Sequence, residues 1–378
     1  MKFMLSGGGT AGHINPAIAI AEILAKAYPN AEILFVGTPH GMERRLVTEA
    51  GYRMRTVEVE GLRRSFTLKN LGVIRKAVSA RRTAVRMLRE ERPDLVVGTG
   101  GYVCYPLLRA AAGIGIPTLL HESNASPGLT VRLLAGSVDT VLLNFPSAEK
   151  LLPRSCSCVT VGNPLRTDFA GLEKGEARRR LGIPPSAFYL LSFGGSLGAA
   201  SINAAMLKAI PNLRKTRPDL RVLHATGRDR FDAFLKEFDS YSEAESRFVK
   251  IAPYITEMAL HMTACDAMIC RSGAMTISEA AYTATPTILI PFPGAADDHQ
   301  TKNARALADC GAAILIPDAE VSADRLEGEI DRLIRDPHLR KSMEQAISRF
   351  ARRDVSERIL HEVDRLLYPS TKVDSATD

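Results

Sequence analysis

Short apolar runs alternate with helical patterns along most of the chain. The run KFMLS at 2–6 leads through a glycine turn into a helical pattern from about Pro16 to Ala27. AEILFVG at 31–37 leads into another around Met42 to Ala50. DLVVGTG, PTLLHES, TVLLN and CVTVGN follow, with helical patterns between them. Runs rich in Val, Ile and Leu that lack polar alternation are strands buried on both faces. Their alternation with helices predicts an α/β fold with a parallel sheet covered on both sides.

The alternation pauses at VGNPLR, where Asn163-Pro164 is a turn signal, and a polar helical stretch with a proline break follows. A second series then begins: FYLLSFGG, RVLHATG, FVKIAPY, AMICRSG, PTILIPF and AAILIP. The two series echo each other, because Gly8-Gly9-Thr10-Ala11-Gly12 aligns with Gly194-Gly195-Ser196-Leu197-Gly198, each after a strand and before a helix. The economical reading is two Rossmann-like domains, 1–162 and 163–349, with parallel sheets facing across a cleft. An amphipathic pattern from Asp354 to Leu367 is expected as a last helix, within about 350–368, that packs back on the first domain. The polar stretch 369–378 is expected to be a disordered tail.

With 378 residues, 46% of them hydrophobic, each half can bury a full core. The apolar start is too short for a signal peptide, and no uninterrupted apolar run reaches the roughly 20 residues of a membrane-spanning helix. The six cysteines show no CxxC pairing, so neither a zinc site nor a disulfide framework is expected, and a reducing cytoplasm suits them. The net charge of +7 is concentrated in one segment. Between Leu62 and Arg92 stand ten basic residues (Arg63, Arg64, Lys69, Arg75, Lys76, Arg81, Arg82, Arg86, Arg89 and Arg92) against Glu90 and Glu91. Interleaved Leu68, Leu71, Val73, Ile74 and Val78 favour an anionic membrane surface as its partner over a merely solvated face. The scarcity of aromatics there argues against nucleic acid.

Three glycine loops follow strands: Gly7 to Gly12, Gly98 to Gly101, and Gly194 to Gly198. Such loops let backbone amides approach an anion, and the next helix offers its positive end. Gly7, Gly9 and Gly12 match the dinucleotide fingerprint G-x-G-x-x-G, but that fingerprint needs an acid ending the second strand to hold the ribose. After ILFVG stand Thr38, Pro39 and His40 instead. A better ribose partner is Glu279 in CRSGAMTISEAAY, where Ser272, Gly273 and Ala274 open a helix; a dipole-complementing glutamate is the alternative. In PFPGAADDHQTKNA, Gln300 and Asn303 share a helix face and suit sugar hydroxyls. Asp297 or Asp298 would cap that helix, and no metal is expected from Asp297, Asp298 and His299 without a second ligand group. His121, Glu122 and Asn124 form a further polar turn after a strand.

GGTAGHINPAIAIA, GTGGYVCYP, HESNASPGLTVRLLA, VGNPLR, GGSLGA, CRSGAMTISE and DHQTKNA occur in this order over nearly the whole chain. As a set they resemble the MurG family, within glycosyltransferase family 28. The resemblance implies the GT-B fold and transfer of N-acetylglucosamine from UDP-N-acetylglucosamine to lipid I. Lipid II and UDP would form with inversion and without a cofactor, at the cytoplasmic face of the bacterial cell membrane, as a peripheral enzyme. By motif match, Thr10, Ala11 and Gly12 lie beside the sugar and the reacting centre. Asn124 and Gln300 contact the N-acetylglucosamine, with Asn303 a further sugar contact. Arg166 and Ser196 face the diphosphate, and the main chain of Ile255 reads uracil. Ala274, Met275, Thr276, Ile277, Ser278 and Glu279 hold phosphate and ribose, with Glu279 on the ribose hydroxyls. Gly100, Gly101 and Tyr102 help to hold the acceptor pyrophosphate. The sequence departs from the family pattern at Ala11, Ser123, Val131 and Leu197, where Gly, Gln, Asn and Gln are common.

Inverting transfer needs a base for the acceptor hydroxyl and neutralisation of the departing UDP. His13, directly after the first loop and with an ordinary pKa near neutrality, is the first choice of base. Glu122 is its rival, and a purely orienting role is the alternative for His13. Helix N-termini, Ser196 and Arg166 would meet the diphosphate. Other readings are a GT-B transferase with a different lipid or small acceptor, a UDP-N-acetylglucosamine 2-epimerase, or a non-catalytic nucleotide-sugar-binding module. The paired polar sites in both halves argue against the last.

Overall fold

The computed structural model describes residues 1–59, 69–165, 167–195, 197–238 and 248–369. For 69–78 and Thr167 only the backbone is described. The chain divides into two compact units, residues 1–165 with 352–378 and residues 166–351.

The first unit runs β1 (Lys2–Ser6), α1 (Ala11–Ala27), β2 (Glu32–Gly37), α2 (Met42–Glu49), β3 (Arg53–Thr56), α3 (Lys69–Glu91), β4 (Leu95–Gly98), α4 (Cys104–Gly113), β5 (Thr118–Glu122), α5 (Leu129–Leu134), β6 (Thr140–Leu143) and β7 (Cys158–Thr160). Its seven strands are all parallel, in the order β3-β2-β1-β4-β5-β6-β7. Phe3, Leu5, Val97, Leu119 and Leu142 face one apolar layer with α1, while Met4, Val96, Leu120 and Val141 face another with α3, α4 and α5. This two-sided burial is why the strands read as continuous apolar runs.

The second unit runs α6 (Lys174–Arg180), β8 (Phe188–Phe193), α7 (Ala200–Thr216), β9 (Leu220–Ala225), α8 (Phe231–Phe238), β10 (Val249–Ala252), α9 (Met258–Ala264), β11 (Ala267–Cys270), α10 (Ala274–Tyr282), β12 (Thr287–Leu289), α11 (His299–Ala308), β13 (Ala313–Leu315), α12 (Ala323–Arg335) and α13 (Pro337–Ser348). Its six parallel strands follow the order β10-β9-β8-β11-β12-β13, which repeats the first six positions of the first sheet. Each unit is therefore a Rossmann-like sheet whose strand order reverses beside its first strand, and ligands of such sheets bind at that switch point.

The chain then enters α14 (Val355–Leu367), which belongs to the first unit. Val355, Ile359 and Val363 join the apolar layer around α1, the Tyr28 hydroxyl donates to Asp364, and the Arg365 guanidinium donates to Thr140 Oγ1 at 2.6 Å. Gly162 (φ +97°) lets the returning segment cross, because a Cβ there would lie 2.9 Å from the Arg352 side chain. The division between units falls a few residues beyond 162, since the Val161 and Gly162 amides still bond the Leu143 carbonyl of the first sheet. Apart from Pro369, the expected tail lies outside the described residues.

Within the basic segment, Arg63 and Arg64 lie outside the described residues, and of Lys69, Arg75 and Lys76 only the helical backbone is described. Arg81, Arg82, Arg86, Arg89 and Arg92 are exposed, while Ala80, Ala84, Met87 and Leu88 are buried. No described helix is long and apolar enough to cross a membrane.

Candidate active site

In the first unit the switch point brings two glycine loops side by side, because β1 pairs with β4 in a register that sets Ser6 opposite Gly98. The loop after β1 enters α1 five residues earlier than the expected Pro16. Thr10 occupies the extended cap position, and its carbonyl accepts from the amides of His13 and Ile14. Pro16 lies inside the helix near its start, where the missing N–H removes only one helical bond. His13 therefore stands in the first turn. Its Nδ1 lies 3.2 Å from Thr10 Oγ1, and its carbonyl accepts from the Thr99 hydroxyl at 2.6 Å.

The second loop wraps the His13 ring. Gly100 (φ +100°) and Gly101 (φ +78°) are both left-handed, and a Cβ on Gly100 would lie 2.7 Å from His13 Cδ2. A Cβ on Gly101 would fall 2.1 Å from the Gly8 carbonyl oxygen, so the two loops touch through their backbones and tolerate no side chain there. The Tyr102 ring lies against Gly9, where a Cβ would stand 3.1 Å from it. Thr99 ties the loops together and was not marked by any sequence pattern.

Glu122, the rival base, is enclosed by its own turn. It is 3% exposed, and its two oxygens accept from the Asn124 amide (2.8 Å), the Asn124 side chain (3.0 Å) and the Gly128 amide (2.8 Å). Burial pushes its pKa up despite these bonds. A carboxylate enclosed in this way shapes the turn that carries Asn124. His121 is likewise structural: it is fully buried, bonds the Gly162 carbonyl at 2.9 Å, and burial pushes it down to about 4.

The second unit repeats the geometry, with Phe193 opposite Cys270 in register and a loop leaving each strand. After β8, Gly195 (φ +86°) has open space beside it, whereas Gly198 packs on the Thr226 carbonyl, which a Cβ would reach at 1.8 Å. After β11, Ser272 is buried and Gly273 begins α10. The first helical bond is Ile277 N–H to the Gly273 carbonyl, so the amides of Ala274, Met275 and Thr276 take no bond within the helix. Glu279 lies in the second turn, beyond reach of a first-turn dipole role. Ile277 is buried, with its amide bonded to the Gly273 carbonyl. No hydrogen bond joins the main chain of Ile255 to another described residue, while its side chain is buried.

Asn303, expected as a sugar contact, is fully buried and donates to the Ser272 carbonyl at 3.4 Å. It holds the turn before α10 and does not present its amide outward. Gln300 differs. Its Oε1 accepts from the Phe292 amide at 2.9 Å, its carbonyl accepts from the Ser272 hydroxyl at 2.8 Å, and its Nε2 has no partner among the described residues. Asp297 and Asp298 precede α11 in consecutive left-handed conformations (φ +50° and +52°), and the Asp298 side chain, at the cap position, does not cap the helix. Such a turn costs about 1–2 kcal/mol per residue, and it leads directly into the helix that carries Gln300. Arg271, unmarked in the sequence, bonds the Ile290 and Pro291 carbonyls and Asp318, fixing the exit of β12 toward this turn. Arg166 and Ser196 lie outside the described residues. Among the described residues no cluster of His, Cys, Asp and Glu is arranged to hold a metal.

Residues 3–143 match the glycosyltransferase family 28 N-terminal domain, and residues 189–359 match the glycosyltransferase family 28 C-terminal domain. A protein of Desulforudis audaxviator named UDP-N-acetylglucosamine--N-acetylmuramyl-(pentapeptide) pyrophosphoryl-undecaprenol N-acetylglucosamine transferase is 40% identical over 98% of this chain and 100% of its own. A protein of Acetivibrio thermocellus with the same name is 38% identical over 95% of this chain and 96% of its own. Among solved structures, MurG of Acinetobacter baumannii superposes with a TM-score of 0.77 at 27% identity, covering 96% of this chain and 99% of that one. A Listeria monocytogenes structure described as a UDP-N-acetylglucosamine 2-epimerase shares the fold at 13% identity (TM-score 0.70), covering 100% of this chain and 99% of that one.

Proposed function

The chain belongs to glycosyltransferase family 28, and from that premise we propose that it transfers N-acetylglucosamine from UDP-N-acetylglucosamine to the muramoyl 4-hydroxyl of lipid I, forming lipid II and UDP in peptidoglycan synthesis. The observation that carries this reading is near-full-length similarity to transferases so named, at 40% identity, against 13% to the epimerase that shares the fold.

The reading assigns the donor to the second unit. The amides of Ala274, Met275 and Thr276 at the start of α10 suit the diphosphate, together with Arg166 and Ser196. Ser278 and Glu279 turn to the ribose side, and the carboxylate of Glu279 accepts from its hydroxyls. The unbonded main chain of Ile255 suits the uracil edge, and Gln300 Nε2 suits a sugar oxygen. As the glycosidic bond breaks, negative charge grows on the diphosphate, and oriented amides stabilise it without reorganising.

The first unit supplies the acceptor side. Gly100, Gly101 and Tyr102 are assigned to the acceptor pyrophosphate, and Thr10, Ala11, Gly12 and Asn124 to the sugar and the reacting centre. His13 takes the proton of the acceptor hydroxyl. An Nδ1–H donated to Thr10 Oγ1 would hold the ring in the tautomer whose Nε2 takes that proton. The exposed arginines of α3 suit an anionic membrane surface, which supports a peripheral position on the cytoplasmic face, where lipid I would be presented. Nucleic acid has no place in this reading.

The test is UDP release on mixing the protein with UDP-N-acetylglucosamine and a short-chain lipid I analogue. Release only with the analogue is expected. Release at the same rate without it, or with unrelated acceptors, contradicts the reading.

A further inference from the structure

The first glycine loop holds a carboxylate that the transfer chemistry does not use. Glu43 sits in the first turn of α2 with its side chain turned inward and only 1% exposed. Its Oε1 accepts from the Thr38 amide at 2.9 Å and the Thr38 hydroxyl at 2.5 Å, and its Oε2 accepts from the Gly9 amide at 3.3 Å. Glycines clear the space it fills. A Cβ on Gly41, Gly37 or Gly8 would lie 2.2, 2.7 or 3.0 Å from an atom of its side chain. Burial alone would push this carboxyl up, but the bonds from Thr38 and Gly9 outweigh it and hold it below the usual carboxylate range.

The acid missing from the end of β2 is thus supplied by the following helix, and it is used differently. In a dinucleotide site the glycine loop's backbone approaches the ligand's pyrophosphate. Here the amide of Gly9, the middle glycine of G-x-G-x-x-G, is spent on the protein's own anion. The amides of Ala11 and Gly12 at the start of α1 make no bond to another described residue and remain for a neutral sugar oxygen.

We propose that Glu43 is a built-in counter-anion of the first glycine loop: a positioning residue that fixes Gly9 and the turn into His13, and whose charge keeps ligand phosphate off this loop. Because like charges a few ångströms apart repel strongly in a partly desolvated site, the acceptor pyrophosphate is steered to the neighbouring Gly100–Gly101 turn. The steering of the acceptor rests on the transferase reading above. The exclusion of phosphate from the loop does not.

The experiment compares E43Q and E43D with the wild type as full chains. Inorganic pyrophosphate binding is measured by calorimetry with UDP saturating the second unit, alongside steady-state kinetics. For E43Q the expectation is pyrophosphate binding at least tenfold tighter than wild type, kcat reduced tenfold or more, and a KM for UDP-N-acetylglucosamine within threefold. E43D keeps the charge but draws it back from Gly9, so intermediate values are expected. A folded E43Q with wild-type pyrophosphate affinity overturns the proposal even if kcat falls, because a merely structural role predicts that pattern. Should E43Q not fold, E43D decides: tighter pyrophosphate binding supports the proposal and wild-type affinity overturns it. Absence of all transferase activity would defeat the transferase reading, while the pyrophosphate affinities still judge Glu43.

Discussion

His13 is held in place by four neighbours. Thr10 meets Nδ1 at 3.2 Å, Thr99 holds its carbonyl, and Gly100 and Gly101 make room for the ring. His13→Ala is expected to leave the affinity for UDP-N-acetylglucosamine within about threefold and to lower kcat by about 10²–10⁴, the usual contribution of a general base. Equilibrium binding and single-turnover rates check this, and near-normal turnover would remove His13 from the mechanism. At this scale residue types were legible and their directions were not. Glu122 and Asn303 are as polar in the sequence as His13 and Gln300, yet both are buried and spent on backbone groups. Only the packing of the chain decides which way a polar side chain turns. Glu43 escaped notice for the same reason, since an acid in a helix's first turn ordinarily reads as a dipole partner.

At the scale of elements, alternating apolar runs and helical patterns sufficed to anticipate two parallel sheets with covering helices, because both-face burial leaves a clear imprint on composition. The start of α1 was less legible, since Pro16 reads as an early helical position and nothing local shows that the glycine turn ends at Thr10. The glycines were visible as a motif, but their reasons lie between loops. Gly101 and Gly115 are both left-handed (φ +78° and +75°), yet a Cβ meets the Gly8 carbonyl at the first and nothing within 4 Å at the second. Gly101→Ala is therefore expected to lower kcat/KM at least tenfold. Gly115→Ala should cost only the backbone strain of roughly 1–2 kcal/mol, with kcat/KM unchanged. Parallel denaturant melts and kinetics of the pair check this, and equal effects on activity would deny the loop contact its importance.

At the scale of the whole molecule, α14 completes the first unit: Ile359 and Val363 are fully buried in the layer around α1, so the chain's end is part of its beginning. The charge distribution belongs to the same scale. The net +7 arises from one segment, and the exposed arginines of α3 oppose a buried apolar face. Juxtamembrane basic residues contribute about 1 kcal/mol each at an anionic surface. Reversing Arg75, Lys76, Arg81 and Arg82 to glutamate is therefore expected to weaken binding to anionic vesicles by at least 100-fold at low salt, with little change on neutral vesicles. Co-sedimentation measures it, and unchanged binding would place the membrane surface elsewhere. The central claim, inverting transfer from UDP-N-acetylglucosamine to lipid I, is tested most directly by the product itself. Incubation of radiolabelled UDP-N-acetylglucosamine with a short-chain lipid I analogue should yield one labelled lipid product, carrying one added N-acetylglucosamine in β-linkage by proton NMR. Label remaining in a free or epimerised nucleotide sugar, or an α-linked product, would contradict it.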